Sequence, residues 1–245
     1  LSDISGVTPI APEGTFLLWL DFRELGLEPD GRTLNSSPET KSSKAGLAFA
    51  AVVKTREFWI LATVFGGLTF ALHGFLPHLV PMLMDKGIEP STAATVASFV
   101  GLSMFVSRIV AGYLIDHFFA PHVAIVLFTM SALGMVLYVG APPTGPLMIL
   151  AAILTGFSMG AEIDLMAYLT GRYFGFRSYG SVSGILFGVI ILGNALGSLA
   201  FGLNFEYSGS YTDILIACIG IHVVTVMLMA TLGKFPDWEI VKEPA

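Results

Sequence analysis

Long stretches of this chain carry almost no charge, and short clusters of polar and turn-forming residues separate them. Six apolar runs stand out, at roughly 58–83, 93–115, 122–140, 146–171, 179–203 and 211–233. A helix needs about 20 mostly apolar residues to cross the hydrocarbon of a bilayer, so these runs predict six spanning helices. The separators are 85-DKGIEPS-91, 116-DHFFAPH-122, 141-APPTGP-146, 171-GRYFGFRS-178 and 204-NFEYSGS-210, all supplied with turn-forming or charged residues. Residues 1–57 break the pattern. They are rich in Ser, Pro, Gly, Asp and Glu, as in 28-EPDGRTLNSSPETKSSK-44. Such a composition buries too little apolar area to fold alone, so a polar cytosolic segment is expected there. The short apolar patch 16-FLLWL-20 is too brief to span and suits a helix end or an interfacial anchor. Residues 58–235 are then the transmembrane domain and 236–245 a cytosolic tail.

Composition agrees. Of 245 residues, 54% are apolar and 12% charged, about half the charge of an ordinary soluble domain. A surface so poor in charge faces lipid, and the expected class is an all-α, multi-pass integral membrane protein of the plasma or cell inner membrane. The net charge of -6 is spread along the chain. No basic run is interleaved with aromatics, which removes the usual footprint of a nucleic-acid binder. Cys218 is the single cysteine and forms no internal disulfide. Residues 1–15 lack the basic start and apolar core of a cleavable signal peptide. The chain begins at Leu1 rather than Met, and the expectation is a piece of something longer.

Lysines and arginines set the orientation. Lys41, Lys44, Lys54 and Arg56 precede the first span, Arg172 and Arg177 follow the fourth, and Lys234 and Lys242 follow the sixth. Six crossings put all of them on one side, against Lys86 alone on the other, so both termini are expected to be cytosolic. The fifth span carries Gly184/Gly188 and Gly193/Gly197, continued by Ser198 and Gly202. Small residues at this spacing let helix backbones approach closely in lipid, and packing is the plainest use for them.

Charge inside a span is costly and usually faces a cavity or a partner. Arg108 lies eight residues before Asp116, about 12 Å into the membrane, too deep to reach water easily. A guanidinium there can grip an anionic substrate in bidentate fashion or neutralise Glu162 or Asp164 within the bundle. Glu162 and Asp164, two residues apart, point to different helix faces. Asp164, Tyr168 and Arg172 share a face and read as a ladder ending at the cytosolic arginine. Glu162 has no local basic neighbour, which makes it the better proton carrier. His73 precedes Gly74 and suits helix packing; His78, between Pro77 and Pro81, suits the interface. Their spacing is not that of a metal pair, and no nucleophile–base, phosphate-loop or nucleotide motif is present. Neither an enzyme nor a cofactor is expected.

Several local patterns resemble the major facilitator superfamily. The sequence 112-GYLID-116 resembles its GxLaD signature, which recurs between helices 8 and 9. The block 78-HLVPMLMDKGIEPSTAA-94 resembles the outer end of helix 7 in the monocarboxylate and oxalate/formate branch. In the same branch, 160-GAEIDLMAYLTGRYFGFRSYGSVSG-184 resembles helix 10 running into helix 11, 196-LGSLAFGLNFEYSGSY-211 resembles the end of helix 11, and 25-LGLEPDG-31 resembles the start of the loop between helices 6 and 7. The likeness covers residues 25–235. It departs from the family pattern at 117-HFFAPH-122, which lacks the basic residues that follow the aspartate. It departs again at Glu206, where an aspartate is common, and at Met104, where some monocarboxylate members carry an aspartate.

The resemblance implies a six-helix half, helices 7 to 12, preceded by the interdomain loop. It makes Arg108 the arginine that binds the substrate carboxylate, with His73 on the same cavity wall. Glu162 and Asp164 become candidates for proton coupling, and Asp116 and Arg172 for gating on the cytosolic side. The implied activity is secondary active transport of a small organic anion by proton coupling or exchange, with a separate N-terminal six-helix half as partner and lipid around both. The alternatives are a facilitator of a neutral or drug-like solute and a non-transporting scaffold or regulatory half.

Overall fold

In the computed structural model, which describes residues 46–236, six long helices account for most of the described residues. They are α1 (Arg56–Asp85), α2 (Pro90–His117), α3 (Ala120–Gly140), α4 (Gly145–Phe174), α5 (Tyr179–Ser208) and α6 (Thr212–Ala230). All six are long and apolar enough to cross a membrane. A single helical turn, Phe49–Val52, precedes α1.

Most boundaries lie a few residues outside the apolar runs, because local chemistry rather than hydropathy starts and stops each helix. The Thr55 hydroxyl accepts from the Phe58 backbone N–H and opens α1. Pro90, Pro121 and Pro146 lie in the first turns of α2, α3 and α4, where the missing N–H costs nothing. Gly175 (φ 73°) ends α4, and Gly209 (φ 67°) ends α5 in the left-handed conformation. Within α1 the chain tightens to a 3₁₀ turn at Leu76–His78, around Pro77. α6 stops at Ala230, short of the apolar run's end at 233.

The helices pair in a set pattern. α1 lies on α5 and α6, α2 on α4, and α3 on α4 and α6. Glycines decide two of these contacts. A Cβ on Gly156 would meet the Val100 carbonyl oxygen at 2.6 Å, and one on Gly160 would collide with the Met104 backbone. On the other side a Cβ on Gly193 would meet the Gly66 carbonyl oxygen at 2.5 Å, and one on Gly197 would collide with the Phe70 and Gly74 backbone. At Gly184 and Gly188, four residues apart like the packed pair, an added Cβ would meet no other helix within 4 Å. The expected small-residue seam is therefore half used.

Both flanking segments are fastened to the C-terminal end of α4. The Leu47 N–H donates to the Phe174 carbonyl at 2.9 Å, and Gly46 bridges Gly175. After α6, the chain turns back so that the Tyr173 hydroxyl donates to the Gly233 carbonyl at 2.7 Å. The Phe235 ring settles 4.8 Å from that of Phe119 and 5.0 Å from that of Tyr173. At the opposite end Lys86 donates from Nζ to the Tyr138 carbonyl at 2.6 Å, near the C-terminus of α3, where a cation suits the helix dipole. Partial burial pushes that ammonium below its ordinary pKa.

Candidate functional site

The mid-membrane charges lie on α1, α2 and α4. α2 buries a single stripe, Val96, Val100, Ser103, Ser107, Ala111 and Ile115, at the three- and four-residue spacing of one helix face. That stripe meets α4, and the Ser107 hydroxyl donates to the Phe157 carbonyl across the contact. One residue on, about 100° around the helix, Arg108 leaves the seam and is exposed. Among the described residues no hydrogen bond or ion pair holds its guanidinium. Its charge acts on Asp164 of α4, which is half-buried.

Glu162 stands in a different setting. It is 1% exposed on α4. The Thr69 hydroxyl of α1 lies 2.8 Å from its Oε1, and His73 Nε2, one helical turn further along α1, lies 3.2 Å from its Oε2. That second contact is a charge pair rather than an aligned hydrogen bond, since Oε2 has no donor in hydrogen-bonding geometry. His73 is 25% exposed, whereas Thr69 is buried. The carboxyl therefore communicates with the outside of the bundle on its histidine side and is closed on its threonine side.

Glu162 has no basic neighbour on its own helix, and His73 does more than pack: it faces the Glu162 carboxyl. On α4 alone Glu162 has none; the partner arrives from α1, 89 positions away in the sequence. The other candidates are more dispersed. Arg172, exposed at the end of α4, sits over the Tyr168 ring at 5.9 Å and the Phe235 ring at 4.9 Å, a cation–π arrangement. The Tyr168–Arg172 part of the expected ladder is thus formed, while Asp164 answers to Arg108. Asp116 is exposed at the end of α2. The His78 Nε2 donates to the Ser198 carbonyl (3.1 Å) and the ring stacks on Phe201, knitting α1 to α5.

Two polar residues escaped the sequence reading. Thr69 gave no signal, because one threonine in an apolar helix is commonplace. His222 gave a signal, a histidine inside the sixth run. It is fully buried, its Nδ1 donates to the Cys218 carbonyl at 2.7 Å, and its Nε2 has no partner. Among the described residues no group of three or more metal-ligating side chains converges.

The comparisons with known proteins agree with this architecture. The family model of the Major Facilitator Superfamily matches residues 13–198 and again residues 60–239. No curated protein matches the chain. Among solved structures, that of FucP, a Major Facilitator Superfamily transporter in the outward conformation, superposes with a TM-score of 0.56 at 15% sequence identity. The match covers 80% of this chain and 46% of that one, so the chain spans about half the length of the transporter it resembles. With six apolar helices arranged as a half of that fold, and with a family model matched over most of its length, this chain belongs to the major facilitator superfamily, whose members are membrane transporters rather than enzymes.

Proposed function

We propose that this chain is the helix 7–12 half of a secondary active transporter for a small organic anion of the monocarboxylate type. The remaining wall of the site would come from an N-terminal six-helix half. The observation that carries the reading is Arg108: a permanent positive charge in the middle of a spanning helix, exposed and unheld. A structural arginine in hydrocarbon would be locked to its carboxylate, because leaving it unpaired is costly. One kept open is suited to a bidentate grip on a carboxylate that comes and goes.

The other groups fall into place around it. Glu162 with His73 forms a proton site, with His73 exposed enough to meet both the cavity and the proton. Asp164 screens Arg108 while the anion is absent. Asp116 and Arg172, on the expected cytosolic side, serve closure, and the exposed faces of α2 and α5 meet the N-terminal half.

The test is uptake of labelled monocarboxylates into proteoliposomes, with the chain alone and with an N-terminal half supplied. Uptake is expected only with the half supplied, and Arg108→Ala is expected to abolish carboxylate uptake while the folded yield holds. Uptake per folded molecule unchanged in Arg108→Ala overturns the substrate assignment. Robust uptake of a neutral solute by that variant would favour the neutral-solute alternative.

A further inference from the structure

We infer that Thr69 is a positioning residue that couples the charge state of Glu162 to the fastening of α1 on α4. The inference deepens the proposed proton site and rests on Glu162 exchanging a proton.

The Thr69 hydroxyl has two acceptors within reach, Glu162 Oε1 on α4 and the Phe65 carbonyl one turn back on α1. It has a single proton to donate. When Glu162 is ionised, the charged oxygen is the stronger acceptor. The hydroxyl then donates across the helix contact and ties α1 to α4, beside the His73–Glu162 charge pair. When the His73 imidazolium passes its proton from Nε2 to Oε2, one N–H bond breaks and one O–H bond forms. The charges of both residues fall to zero. Oε1 becomes a neutral carbonyl oxygen, and the Phe65 carbonyl competes for the hydroxyl. Thr69 then turns to its own helix, as buried threonines commonly do. One proton transfer thus removes an ion pair and an inter-helix hydrogen bond together.

The charged and titratable groups that face this carboxyl are few. α1 contributes His73; the Arg108 of α2 acts on Asp164, which lies on another face of α4. In α3 and α5 the titratable groups lie toward the helix ends, at His122, Tyr138, Tyr179, Glu206 and Tyr207. α6 brings His222, bonded to its own helix at Cys218.

Infrared difference spectroscopy on the full chain in liposomes tests this, because it needs no transport. Acid-minus-alkaline spectra should contain a protonated-carboxyl band that Glu162→Gln removes. Thr69→Val keeps the shape and deletes the donor, so the carboxyl should hold its proton to higher pH, with about a tenfold change in proton affinity. Thr69→Ser should restore the wild-type midpoint, which a mere packing role would not predict. A Glu162-dependent band whose midpoint is the same in Thr69→Val overturns the role of Thr69 and leaves the proton site standing. Absence of any Glu162-dependent band overturns the proton site itself, and the inference with it.

Discussion

α4 and α5 are both 30 residues long, yet 56% of the most apolar window of α4 is buried inside the molecule against 17% for α5. In water the more apolar helix would be the inner one. Here the inner helix carries the polar groups, Thr155, Ser158, Glu162 and Thr170 among its buried residues, while α5 exposes Ile185, Ile191, Leu192, Leu196 and Leu199. Lipid tails are as apolar as leucine, so there is no hydrophobic reason to hide leucine from them. What has to be hidden from lipid is polarity. Between these two helices polar content, not hydrophobicity, marks the inner one.

Substitutions along α5 should break or sharpen that contrast most strongly. Gly197→Leu drives a side chain into the backbone of Phe70 and Gly74, and is expected to cost about 3 kcal/mol or more. Gly184→Leu, with nothing within 4 Å, should change stability by no more than about 0.5 kcal/mol. Unfolding in mixed detergent would compare the two; equal losses would mean that the open face of α5 is packed after all.

Within α4 the expected effects are smaller. Glu162→Leu leaves the Thr69 hydroxyl its own-helix acceptor, whereas Thr69→Val leaves a buried carboxylate with one donor fewer. The threonine change should therefore cost about 1.5–3 kcal/mol, as for a hydrogen bond to a charged group, when unfolding is followed at a pH where Glu162 is ionised. The cost should shrink once the solution is acid enough to protonate it. A penalty independent of pH would assign Thr69 to packing.

The clasp at the C-terminal end of α4 should be weaker still. Phe235→Ala removes ring contacts with Phe119 and Tyr173 and the seat of Arg172, worth about 1 kcal/mol. Cleavage at the exposed Lys234 by trypsin should become faster. Arg108→Ala comes last in stability, within about 0.5 kcal/mol, since among the described residues no hydrogen bond or ion pair holds the exposed side chain. It comes first in function, with loss of carboxylate uptake as the expected outcome. A large loss of stability in Arg108→Ala would instead show an arginine that serves the fold.

Much of the architecture was legible in the sequence. Six runs gave six helices, because the hydrocarbon thickness fixes a minimum apolar length whatever the neighbours do. The ends were less legible: Pro90 and Pro121 start helices ahead of the apolar runs, and Gly209 lets α5 run five residues past Leu203. The patch at 16–20 and the tail at 242 lie outside the described residues, as do Lys41 and Lys44. For the site, Arg108 and Glu162 were conspicuous because charge in an apolar run always is. Their surroundings were not, since one helix's own periodicity says nothing about which residue of another helix it meets.

The amino-acid sequence by itself thus determined the class, the number of spans and the identity of the costly charges, all of which depend on transfer from water to lipid and can be judged residue by residue. The tertiary structure decided which charges are held. It paired His73 with Glu162, gave Thr69 two acceptors, packed Gly193 and Gly197 while leaving Gly184 and Gly188 open, and left Arg108 without a tie. These outcomes depend on how far each helix is rotated and how closely it approaches its neighbour. In this bundle a few backbone contacts at Gly156, Gly160, Gly193 and Gly197 set both quantities.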